Sequence, residues 1–92
     1  MQNEQKIFWT EIQKIQDTVV NVSLIKAQKY DSMEELLNDV TYETICALME
    51  LLDGYRNEDI YGEITSRGTG SKLNSNVELH DCCEEYLKCS DK

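Results

Sequence analysis

The residues best equipped for chemistry lie near the C-terminal end, where His80-Asp81-Cys82-Cys83 is followed by Cys89. Imidazole and thiolate are zinc ligands, and the distant Cys46 would complete a set of four. The spacing argues against it. Adjacent cysteines on a helix diverge by about 100°, and the Cys-x-x-Cys pair of a zinc site is missing. His80, Cys83 and Cys89 remain the metal candidates. The plainer expectation is that Cys82 and Cys83 pack as small apolar residues, so neither metal nor cofactor is expected. His80 and Cys83 are one helical turn apart, as a thiol nucleophile and its base would be. No orienting acid or oxyanion site accompanies them, and an enzyme is not expected.

Gly68-Thr69-Gly70-Ser71-Lys72 has the look of a phosphate loop, but that motif requires Gly-Lys-Ser/Thr in order, between a strand and a helix. Here Ser71 precedes Lys72, so a turn that uses glycine for positive φ is the expectation. The carboxylates form no Asp-x-Asp-x-Asp-Gly calcium loop. What they form is a block. Residues 1–30 carry a net charge of +1, residues 31–63 a net of −9, residues 64–75 a net of +2 and residues 76–92 a net of −3.

Acidity placed this way disfavours a nucleic-acid backbone and an anionic membrane, both of which require basic patches. It favours a protein partner with a basic surface, met by Glu35, Asp39, Glu43, Glu50 and Asp53. The same charge would serve solubility alone.

Elements must position these groups. Phe8, Ile12, Ile15, Val19 and Val22 step by four and three, which predicts a helix over about 3–29, roughly 40 Å long. The β-branched stretch Thr18–Ser23 weakens its propensity and makes a strand the competing expectation there. Phe8, Trp9 and Ile12 would anchor a core or a homodimer contact.

Ser32 and Glu35 form a Ser-x-x-Glu capping pattern, and Gly54 suits a left-handed helix end. A second helix is therefore predicted over about 32–53. Ile60, Gly62 and Ile64 alternate with Tyr61, Glu63 and Thr65, which predicts a β-hairpin over about 59–74. Ser75 and Glu78, with Asn76 as a rival cap, predict a third helix over about 76–89. Tyr42, Tyr55 and Tyr61 suit either a recognition patch or a core edge.

A chain of 92 residues suffices for one hydrophobic core. No apolar run reaches the roughly 18 residues of a membrane span, and the first residues do not read as a secretory signal. A cytoplasmic location with reduced thiols is the expectation. The segments Tyr42-Glu43-Thr44-Ile45, Leu51-Leu52-Asp53-Gly54-Tyr55 and Val77-Glu78-Leu79-His80-Asp81 resemble small proteins without assigned activity from low-GC Gram-positive bacteria and their mobile elements. The likeness spans roughly residues 40–88 and implies no catalytic residues.

The expected architecture is one α+β domain, predominantly α: two long antiparallel helices, a small β-hairpin and a C-terminal helix. The expected function is a non-enzymatic interaction module or inhibitor, in the manner of an immunity protein, acting through its acidic helix. A zinc- or thiol-dependent protein built on His80, Cys82, Cys83 and Cys89 is one alternative, and an oligomerisation module is another.

Overall fold

A computed structural model describes residues 3–75 and 77–89. Helix α1 runs Asn3–Lys26 and continues into a 3₁₀ turn, Ala27–Lys29. The Thr18–Ser23 stretch is helical. Tertiary burial overrides its propensity, because Val19 lies in the core beside Ile15 and Leu51.

Helix α2 runs Met33–Leu52. It starts where the sequence pattern places it: Ser32 is extended and its hydroxyl accepts the Glu35 amide at 3.2 Å. It ends in a paired closure. The Tyr55 amide donates to the Glu50 carbonyl at 2.9 Å and the Gly54 amide to the Leu51 carbonyl at 3.2 Å, with Gly54 at φ 90°. A side chain at Gly54 would be strained by that φ, although its Cβ would only reach ordinary contact with Tyr61.

The two helices form a hairpin, tied near its turn by the Tyr30 hydroxyl donating to Asp39 at 2.6 Å. Phe8, Ile12, Val40, Ala47, Leu48 and Ile60 pack around the buried Ile15, Val19 and Leu51.

The α+β expectation is overturned. Among the described residues there is no strand and no β-hairpin over 59–74. Residues 61–74 form a loop closed by a single antiparallel bridge, Thr65 to Lys72. Pairing goes no further because a side chain takes over from the backbone. The Ile64 amide donates to the Asn74 side-chain oxygen, and the Asn74 amide group donates to the Gly62 carbonyl, each at 2.9 Å. Gly70, at φ 76°, makes the turn that the glycine pattern predicts.

The third helix is corrected as well. In place of one helix over 76–89, a 3₁₀ turn Leu79–Cys82 leads into α3, Cys83–Tyr86. The local cap at Ser75 is bypassed because Glu78 is extended, at φ −87° and ψ 117°, and the first amides of the turn are taken by Asp53 from the end of α2. The rival cap Asn76 lies outside the described residues. Leu87, extended at φ −112° and ψ 152°, ends α3.

Candidate functional site

The densest polar constellation joins the end of α2 to the 3₁₀ turn. The 3₁₀ turn lies over the end of α2 and covers the Asp53 side chain, which is left 3 % exposed. Its Oδ1 accepts the Leu79 amide at 3.1 Å, and its Oδ2 accepts the His80 amide at 2.9 Å. Oδ2 also lies 2.7 Å from His80 Nδ1. The carboxylate thus caps a turn that belongs to another segment.

Burial pushes the Asp53 carboxyl up. The His80 amide, the His80 ring and the Leu79 amide outweigh that and hold it below the usual 3.8. His80 moves the other way. Its bond to Asp53 raises it above 6.5 against the effect of burial, helped by the nearby charges of Asp81 and Glu78.

His80 Nε2 points outward, 3.3 Å from Asp81 Oδ1 and 3.8 Å from Glu78 Oε2. The Tyr55 hydroxyl donates to the other Glu78 oxygen at 2.6 Å, and its ring meets the imidazole edge-on with centroids 4.7 Å apart. Chemically this is an imidazole ring among three carboxylates. Glu78, His80 and Asp81 bring ligand atoms within 4.8 Å of one another, so they are the described residues that could hold a divalent cation. The sequence candidates for that role separate: His80 is bound to Asp53, Cys83 is buried, and Cys89 is exposed.

The thiols form their own region. Cys83 faces Cys46, which burial pushes up to about 12, and burial with a hydrogen bond to Cys46 pushes Tyr42 up to about 12. A thiol held that high is protonated at neutral pH and a poor nucleophile or metal ligand. Cys82 Sγ lies 3.8 Å from the Glu78 carbonyl.

The predicted acidic face is partly spent inside the molecule. Asp53 is buried, Asp39 is bonded to Tyr30, and Glu50 pairs with Arg56 at 3.5 Å. Glu35 and Asp39 are half-buried, and Glu43 is exposed. One acid outside that group matters more to the fold. Glu11, on α1, is 6 % exposed and accepts from the Asn57 side chain at 2.9 Å. That bond lowers its carboxyl against the effect of burial, with Lys14 adding to it. Asn57 in turn accepts the Asp59 amide at 2.9 Å, so Glu11 anchors the loop after α2. Its signal in the sequence was position: three residues after Phe8 and four before Ile15, it lies on the apolar stripe.

An uncharged surface runs along the α1–α2 hairpin. A groove of about 400 Å³ opens between the helices. On α1 it is lined by Ile12, Gln16 and Val20, and on α2 by Val40, Thr44 and Leu48. Helical spacing extends the α1 stripe to Trp9 and Leu24, and the α2 stripe to Met33 and Leu37, four residues that are all exposed. Of the three residues expected to anchor a core or a homodimer contact, Phe8 and Ile12 pack against the core, and the exposed Trp9 meets the Phe8 ring edge-on at 5.8 Å. No described helix is long and apolar enough to cross a membrane. Compared with protein-family models, with curated proteins and with solved structures, the chain has no significant match.

Proposed function

We propose that this protein is a non-enzymatic interaction module whose working surface is the uncharged face of the α1–α2 hairpin. One observation carries the proposal: the groove between the helices is bordered by an uncharged face on which Trp9, Val20 and Leu24 of α1 and Met33 and Leu37 of α2 are exposed to solvent. Exposed apolar residues grouped in this way mark interaction sites. None of the ten stripe residues is charged.

The contact thereby moves from the acidic side of α2 to its neighbouring side. At about 100° per residue, Glu35, Asp39, Glu43 and Glu50 lie roughly 140° around α2 from that stripe. Their field biases encounter towards basic surfaces and does not have to be desolvated on docking.

Leu24 and Ile25 provide an internal comparison. Both are apolar and exposed, at 70 % and 77 %, yet only Leu24 lies on the stripe. A photo-crosslinking residue at position 24, in cells that make the protein, is expected to capture a protein, and the same residue at position 25 is not. Equal capture at both positions would show general stickiness and defeat the proposal.

A further inference from the structure

We infer that the occupant of this face is a second copy of the chain, with two hairpins closing into a four-helix bundle. The inference rests on the reading of the α1–α2 face as the working surface, and it adds the partner.

The first observation is surface area. A compact monomer of 10.7 kDa exposes about 5,500 Å². This chain exposes 7106 Å². The excess, about 1,600 Å², matches what one protomer of an obligate homodimer covers, since such interfaces bury about 2,000–5,000 Å² over both partners.

The second observation is shape. The radius of gyration is 15.0 Å, with extents of 42 × 29 × 21 Å, whereas a compact chain of this length has about 12 Å. The molecule is a flat two-helix layer on its open side, and a helical layer buries its apolar stripe against another layer. Among the described residues the buried apolar ones are few: Ile15, Val19, Leu51 and Cys83.

The third observation is the pattern of charge. The net of −9 carried by residues 31–63 makes self-association through the acidic side of α2 unfavourable. The groove face differs. Its α1 stripe reads Trp9, Ile12, Gln16, Val20 and Leu24, and its α2 stripe is likewise free of charge. Repulsion thus disfavours the acidic side of α2 and leaves the uncharged groove face open to pairing. A two-fold arrangement brings each groove against its equivalent, and Gln16 and Thr44 lie at the seam, where hydrogen bonds between copies would set the register.

Sedimentation equilibrium on the full chain tests the inference, beside Leu24→Glu/Leu37→Glu and the milder Leu24→Gln/Leu37→Gln. Both positions are exposed in the single chain, and far-UV circular dichroism confirms that the variants keep their helices. The wild type is expected at twice 10.7 kDa at tens of micromolar. The Glu pair should weaken association at least about 100-fold, and the Gln pair less. A wild-type monomer at several hundred micromolar would overturn the inference, as would a dimer indifferent to both pairs. A monomer that still gives the position-24 crosslink leaves the interaction module standing with a foreign partner. A monomer without that crosslink removes both.

Discussion

Replacing Asp53 with alanine is expected to destabilise the fold by about 3 kcal/mol. Three donors converge on this carboxylate, which is 3 % exposed: two backbone amides and an imidazole. Truncation strands all three. The amides of Leu79 and His80 lose the acceptor that starts the 3₁₀ turn, and His80 keeps only the outer carboxylates Asp81 and Glu78. Asp53→Asn retains one acceptor oxygen without the charge and should cost about half as much. Urea denaturation measures the loss, and hydrogen exchange at Leu79 and His80 shows where it begins.

The pH profile carries the same signature. His80 is raised above 6.5, so its contribution is full below that pH and is lost as pH rises through the raised value. Asp53 is lowered below 3.8, so its contribution is present above that pH and is lost as pH falls through the lowered value. The clasp is therefore strongest between about pH 4 and 6.5. This local maximum should be absent from the alanine variant. A variant within about 0.5 kcal/mol of wild type, with an unchanged profile, would mean that the clasp holds nothing.

Leu51→Ala is expected to cost about 3 kcal/mol as well, for a different reason. Leu51 is 1 % exposed and joins Ile15 and Val19 in the only cluster of buried apolar residues shared by α1 and α2 among the described residues. Removing its branched end opens a cavity in a core too small to close around it. Leu73→Ala is the control. That side chain is 54 % exposed on the loop, and the change should cost under about 0.5 kcal/mol. Calorimetry or urea melts at one fixed protein concentration compare the two. Equal effects would show that the core lies elsewhere.

These residues also show which parts of the structure could be read from sequence. The two long helices were legible because their determinants are local: apolar spacing along α1 and α2, the Ser32 hydroxyl at one end and Gly54 at the other. The hairpin was not, because alternation at Ile60, Gly62 and Ile64 cannot reveal that Asn74 will complete the pairing with its side chain. The third helix failed for a related reason. Its cap arrives from Asp53, 26 residues before Leu79, and no local pattern encodes a donor–acceptor match at that range.

Asp53 was also misplaced on the outer face of α2. Its backbone still continues α2, with its amide donating to the Met49 carbonyl at 2.9 Å, and the residues that cover it, Leu79 and His80, come from a distant segment. The apolar stripes were visible, but only coordinates show that α1 and α2 cover each other on one side and leave the groove open on the next.

Coverage of the α1–α2 face in solution has a reporter within the protein. Trp9 is the only tryptophan, it lies on the α1 stripe, and it is 54 % exposed in the single chain. Its fluorescence, followed as the protein is diluted from tens of micromolar to tens of nanomolar, reads that coverage directly. A face covered by a second copy gives the blue-shifted emission of a buried indole at the upper end, moving to the red as copies separate. The Leu24→Glu/Leu37→Glu variant should be red at every concentration. Wild-type emission that stays at the wavelength of a water-exposed indole throughout would contradict coverage by a second copy.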